Sequence, residues 1–410
     1  MNLAFHIAKR YLVSKKSTNA INVISSVSVV GMIVGTMALI LVLSVFNGFE
    51  DLVTSLYNTF NPHIKITAKK GKVFEPDNSK VLQIRALPEV AAASLVLEEN
   101  ALLQYRQENN FIARLKGVDD DFTKVSQVDT ALIDGEFVLE DGEIDYAVLG
   151  LGVQNILGVN IHNEFTPIKV YMPKRDVKVS RMRPESAFKQ EMVYPSAVFA
   201  IQQDFDARYV IVPMRFMRSL LSYEKEVSSI EISLKNEENV ASVKKQIQAI
   251  LGEGFDIKDR YEQDETLYKI MSAEKWVVYL ILSFILVVAS FNIIGSLSML
   301  VMEKKHDIGI LKAMGATNNF IRKVFFMEGI MLSLSGAVIG IILATLICLT
   351  QQHFEVIKLQ GASFLIDAYP VSMRIGDFVL VFLTVMVISI LASIVPAQRA
   401  AETSQLIKEE

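Results

Sequence analysis

The chain has 410 residues, 51% of them hydrophobic and 21% charged, with a formal net charge of −4 and a single cysteine. Ordinary soluble domains carry about 25% charged residues. Here the apolar excess sits in four long stretches, which excludes a plain cytosolic enzyme, a disordered chain and a disulfide scaffold. The near-neutral charge argues against a nucleic-acid binder, and Cys348, inside an apolar run, reads as a small packed hydrophobe.

In chain order, residues 1–20 come first. Within them Leu3, Ala4, Ile7, Ala8, Tyr11 and Leu12 recur at spacings of three and four, while His6, Lys9 and Arg10 fall elsewhere. That pattern predicts an amphipathic helix lying in the membrane interface. Residues 21–47 form the first predicted span. They are charge-free and longer than a signal-peptide core, and no small-x-small site follows in SVFNGFEDL. The segment is therefore expected to be retained. Further spans are predicted at 276–302, 325–350 and 376–397, each long enough to cross once.

Lys and Arg near the span ends set the orientation. Lys9, Arg10, Lys15 and Lys16 precede the first span, and Lys304, Lys305, Lys312, Arg322 and Lys323 separate the second from the third. The loop before the fourth span has only Lys358 and Arg374. Both termini, with the tail 398–410, are thus expected in the cytoplasm, and residues 48–275 outside it. The fold class expected is a four-span α-helical membrane protein with a large α+β extracytoplasmic domain between spans one and two. In that domain, alternation predicts strands at 63–68, 94–106, 111–117, 228–234 and 255–259, with helices at 78–87 and 238–251. Two β-α-β units predict a split subdomain, about 60–118 and 213–262, around an inserted β-rich one, about 119–212.

Sequence signs of catalysis are missing. There is no G-x-x-x-x-G-K-[ST] phosphate loop and no G-x-S-x-G elbow. The five histidines show no metal-ligand spacing, and Gly150 and Gly152 open a glycine pattern that Asn155 breaks. Asp119, Asp120 and Asp121 are a calcium candidate, better read as a solvated loop. No enzyme activity, metal or cofactor is expected on this chain.

Two segments carry more information. In EKKHDIGILKAMGATNNFIRKVFFMEG, within 303–323 and beyond, Asp307 to Met314 form a predicted short cytoplasmic helix, ended by Gly315. Ile308, Ile310, Leu311 and Met314 give it apolar groups among lysines, as suits docking into a partner's groove or capping the helix bundle. In the second span, Asn292 beside Phe291 is a polar amide in hydrocarbon, read as a cavity contact or an interhelical hydrogen bond. Gly336 and Gly340 form GxxxG in the third span, allowing close helix approach.

The loop after the second span resembles the signature of the MacB/FtsX-type ABC transporter permeases, and VPAQRAAE (395–402) resembles their closing motif. FHIAKRYLVSKK, SVFNGFEDL, NPHIKI and FNIIGSLSMLVMEKKHDIGILKAMGAT are similar to the lipoprotein-releasing permeases of the LolC/LolE type. The likeness covers most of the chain and is weakest in 120–225. Departures are NIHNEFT before the PIKVYMP strand and SQLIKEE at the end.

The resemblance implies extraction of lipoproteins from the inner membrane and their transfer to a periplasmic carrier. It makes Ile308, Gly309, Ile310, Leu311, Met314 and Gly315 the coupling helix seated in a separate ABC ATPase subunit, which would hold ATP and Mg. It implies a second permease chain, identical or related. It places a carrier-binding hook in 171–188, with Pro173, Lys174, Arg175, Lys178, Arg181 and Arg183. Met32, Met37, Phe291 and Asn292 are then expected to line a lipid cavity. Other readings are a MacB-like tripartite efflux permease and an FtsX-like transmembrane signalling subunit.

Overall fold

The computed structural model describes residues 3–13, 19–106, 109–163, 165–174, 187–358 and 368–402. They form two compact units. One is helical and built from the described residues of Met1–Leu52, Lys269–Gln360 and Ile366–Glu410; the other is built on Val53–Tyr268.

Among the described residues, the helical unit contains four helices long and apolar enough to cross a membrane. The first long helix is Asn19–Phe60 and the second Glu265–Glu303; both run on into the other unit. The third is Asn318–Phe354 and the fourth Ile375–Glu402. Leu39 and Leu43 of the first, Leu286 and Ile293 of the second, Ala344 of the third and Val385 of the fourth share one buried core. Small residues set the spacing. A Cβ on Gly336 would lie 2.8 Å from the Met32 Cβ, and one on Gly340 would lie 2.7 Å from the Ile33 carbonyl oxygen. The GxxxG pair therefore seats the third helix on the first, where side chains would hold the backbones apart.

The N-terminal helix is Leu3–Val13, within the predicted 1–20. Part of its apolar stripe packs on protein: Ala4 and Ala8 are buried against Val324, with Ile7, Phe320, Met327 and Met331 around them. Two alanines four apart leave a flat face that a neighbouring helix can approach closely.

The second unit carries eleven strands: β1 (Ile64–Ala68), β2 (Val90–Tyr105), β3 (Asn109–Val118), β4 (Leu132–Gly135), β5 (Glu140–Asp141), β6 (Ile144–Gly150), β7 (Ile168–Pro173), β8 (Phe188–Phe199), β9 (Tyr209–Pro213), β10 (Ser229–Leu234) and β11 (Phe255–Asp259). Pairing runs β11-β1-β10-β2-β3-β9-β6-β8-β4, and β7 bridges β2 and β8. Strands β2, β3, β9, β6, β8 and β7 thereby close a six-stranded barrel. Leu103, Leu115, Leu149, Val170, Val193 and Val210, one from each strand, fill its core. Beside it, β11-β1-β10-β2 form an open sheet covered by the helices 78–85 and 240–251 through Val81, Ile84, Val243 and Ile247.

The predicted division at residue 118 is corrected. The long β2 pairs with β10 near its start and with β7 near its end, so one strand serves both sheet and barrel. A 16-residue strand twists along its length and has room for two sets of neighbours.

A buried ion network joins β1, β2, β3 and β10. Lys116 and Glu231 are 1% and 0% exposed and meet at 3.0 Å. Lys65 lies 3.2 Å from Glu98 and 3.4 Å from Glu231, and Arg114 lies 3.0 Å from Glu98. The Lys116 ammonium also lies over the rings of Phe60 and Phe122, at 4.6 and 5.0 Å. Burial alone would raise the Glu98 carboxyl; the charges of Lys65, Lys116 and Arg114 override it and pull the group down to about 2. The Asp119 carboxylate accepts from the Ser94 hydroxyl at 2.6 Å and the Leu95 N–H at 2.9 Å.

Candidate functional site

The connection between the second and third long helices is built from local signals. Lys304 stands at the N-cap and pairs with Asp307 at 3.4 Å; the short helix is Lys305–Ala313. Its end is a Schellman motif: Ala316 N–H donates to Leu311 O at 3.0 Å and Gly315 N–H to Lys312 O at 2.9 Å. Gly315 has φ +93°, a left-handed conformation that favours glycine. Thr317 then caps the third long helix, its side chain accepting from the Phe320 N–H at 3.3 Å.

The faces of the short helix have different surroundings. Ile308 is 1% exposed and shares a core with Leu300, Val301, Ile321, Phe325, Ala397 and Ala400, against which Leu311 packs. On the opposite side Ile310 is 48% and Met314 76% exposed. Gly309 is half-buried and Gly315 exposed. Ile308 is thus corrected from a docking contact to an anchor: a 3.6-residue period puts 308 and 311 on one face and 310 and 314 on the other. The two segments that carried the resemblance converge here. Ala397 and Ala400 of VPAQRAAE form part of the seat, and Lys312 Nζ donates to the Ala401 carbonyl at 2.8 Å. A cation on a C-terminal carbonyl satisfies an orphan acceptor and suits the helix dipole. Residues 403–410, with the divergent ending, lie outside the described residues.

The expected hook falls between two barrel strands. Pro173 ends β7 and pairs in register with Phe188 of β8, and Lys174 N–H donates to Ala187 O at 2.7 Å. Arg175, Lys178, Arg181 and Arg183 lie outside the described residues. Lys174 and Met172 border a cavity of about 590 Å³, together with Glu99, Leu220 and Tyr223.

The four expected cavity residues do not converge. Met32 is fully buried against the third helix, so it is corrected from a cavity lining to a core residue. Met37 is half-buried beside the same core. Phe291 is 61% exposed and the Asn292 side chain is exposed as well. Ser290 and Ile293 take the buried positions on either side, which turns 291 and 292 outward. The interhelical hydrogen bond at Asn292 uses its main-chain carbonyl, which accepts from the Ser28 hydroxyl at 2.8 Å.

Sequence reading missed a polar cluster that joins three of the long helices. Asn47 is 0% exposed; its amide donates to Asp377 Oδ2 at 2.6 Å and its oxygen accepts from Lys275 Nζ at 2.7 Å. The available signal was a lone amide at the end of a charge-free run, inside a motif that was singled out for its likeness alone.

Comparison with known proteins bears on the whole chain. Residues 279–405 match the FtsX-like permease C-terminal family, and residues 25–250 the MacB-like periplasmic core domain. A protein of Haemophilus influenzae named lipoprotein-releasing system transmembrane protein LolE is 24% identical, over 98% of both chains. One of Xylella fastidiosa named lipoprotein-releasing system transmembrane protein LolC is 26% identical, over 97% of this chain and 96% of its own. The periplasmic region of MacB from Actinobacillus actinomycetemcomitans superposes at a TM-score of 0.37 and 12% identity, over 52% of this chain and 94% of its own. A transporter subunit, the chain belongs to the FtsX-like ABC transporter permeases that carry a MacB-like periplasmic core domain.

Proposed function

We propose that this permease extracts lipoproteins from the inner membrane and passes them to a periplasmic carrier. The observation that carries this is the end-to-end match to two proteins named for lipoprotein release. The physical problem is severe. At about 0.8 kcal/mol per CH₂, exposing three chains of roughly 15 carbons to water costs on the order of 36 kcal/mol. An apolar route is needed throughout.

Outward-facing apolar residues supply surface for such a route. Val27, Val30 and Val34 of the first long helix are 50–53% exposed, and Leu280, Phe284 and Phe291 of the second are 61–68% exposed. We assign the acyl-chain path to these faces, with a second permease chain, identical or related, opposite them. The short helix docks through Ile310 and Met314 into an ABC ATPase subunit, which holds ATP and Mg. The segment joining β7 and β8 binds the carrier, its cations steering an acidic surface. This arrangement puts both termini in the cytoplasm and residues 48–275 in the periplasm.

The matched MacB-like domain favours one second reading, a tripartite efflux permease. Depletion of the protein followed by separation of inner and outer membranes tests both. Lipoproteins stranded in the inner membrane support release. Normal lipoprotein distribution with failed drug export would replace it with efflux.

A further inference from the structure

Asn47 uses its whole side chain. Besides the bonds to Asp377 and Lys275, its amide donates to the Ser372 carbonyl at 3.2 Å. Lys275 also lies 3.3 Å from Asp377 Oδ1. Each of three spans gives one residue: Asn47 the first, Lys275 the second, and Asp377 the fourth, in its first turn, where the helix dipole favours an acid.

The surroundings reinforce the joint. Ser372 N–H donates to Ser44 O at 2.9 Å, and Arg374 pairs with Glu50 at 2.9 Å and Asp51 at 2.7 Å. Gly48 lies so close to the loop before the fourth helix that a Cβ there would be 2.3 Å from the Pro370 carbonyl oxygen. That accounts for the Asn-Gly of SVFNGF: the amide makes the bonds and the glycine lets the loop in.

Away from this joint the first and second long helices stay in contact. A Cβ on Gly35 would meet Leu286 Cδ1 at 2.5 Å, a Cβ on Gly31 would lie 3.9 Å from Ala289 Cβ, and Ser28 bonds the Asn292 carbonyl. Tyr279 and Thr384 share a 2.6 Å hydrogen bond between the second and fourth helices.

We propose that Asn47, Lys275 and Asp377 are positioning residues that rivet the first, second and fourth spans into one body. The seam between the first and second spans of a chain then stays shut throughout the transport cycle. Polar groups at span ends are costly unless each finds a partner. Drawing the second span away from the other two would take Lys275 from the Asn47 oxygen and split its ion pair with Asp377, so relative motion is directed away from this seam. The inference rests on membership of the ABC permeases, and only its second test on the lipoprotein reading.

The test uses the full chain with its ATPase in lipid nanodiscs. Gly31→Cys with Ala289→Cys, in a Cys348→Ala background, has a Cβ separation within the ordinary disulfide range of about 3.5–4.5 Å. We expect the oxidised complex to hydrolyse ATP at the rate of the reduced one. A loss on oxidation that reductant reverses would show that the seam opens, and would overturn the proposal. Separately, Lys275→Met should keep ATPase co-purification and ATP hydrolysis while lowering lipoprotein released per ATP by at least about fivefold, the low end of measurable coupling. The exchanged pair Lys275→Asp with Asp377→Lys should restore part of that loss. Wild-type release by Lys275→Met overturns the positioning role. If Lys275→Met fails to insert, Lys275→Arg replaces it and should behave as wild type. If the unaltered complex releases no lipoprotein, the cargo reading fails, and the oxidation arm still decides on the rivet.

Discussion

Glu231→Gln should destabilise the second unit more than Lys116→Met, although the two residues form one ion pair. The network holds three cations, Lys65, Lys116 and Arg114, and two carboxylates, Glu98 and Glu231. Removing Lys116 leaves two of each sign, and Glu231 keeps Lys65 at 3.4 Å. The cost is then that of one poorly satisfied buried acceptor, about 1–3 kcal/mol. Removing the Glu231 charge leaves three cations around Glu98. Lys116, 1% exposed, then finds its nearest carboxylate at 3.9 Å. A stranded buried charge costs about 3–5 kcal/mol, and the rings of Phe60 and Phe122 return only part of it.

Urea unfolding of the segment 53–268 reads the difference. That segment contains the sheet and barrel cores, and its ends meet through a hydrogen bond between Thr54 and Tyr268. With a slope of about 2–3 kcal/mol per molar urea, Glu231→Gln should lower the midpoint by roughly 1–2 M and Lys116→Met by less. Equal shifts, or the reverse order, would refute the charge-balance reasoning.

His63 gives a pH dependence. Burial and the Arg260 charge hold its imidazole below the usual 6.5, and its Nδ1 accepts from the Leu234 N–H at 3.2 Å, a bond that protonation removes. The unfolded chain takes up the proton first, so stability present above 6.5 is lost as the pH falls below it. The urea midpoint should be lower at about pH 5.5 than at about pH 7.5, and His63→Gln should flatten that difference. Met314→Asp should abolish co-purification of the ATPase with membrane insertion intact, whereas Ile308→Asp should reduce the amount of folded protein; identical outcomes would contradict the assignment of the two faces. Gly340→Leu should disrupt packing of the first and third helices at a cost of about 1–3 kcal/mol, read as faster proteolysis in detergent; unchanged resistance would mean the backbones are not in close contact. Arg181→Glu with Arg183→Glu should slow carrier association most at low ionic strength, and a rate that ignores salt would place the carrier elsewhere.

Local order was legible in the sequence. Four charge-poor runs announced the long helices, alternation announced β1 and β10, and Gly315 announced the end of the short helix. Each signal lies within a few neighbouring residues, where chain geometry alone fixes which side chains share a face. Partners were not legible. Nothing near Ile308 marks it as the face that meets Ala397 and Ala400, and nothing near Met32 marks it as the residue seated on Gly336. The barrel closes only because β7 finds β2 as well as β8, and Asn47 finds partners 228 and 330 positions away. Such pairings are decided by which distant surfaces bury apolar area and satisfy one another's polar groups, quantities that exist only once the chain has folded.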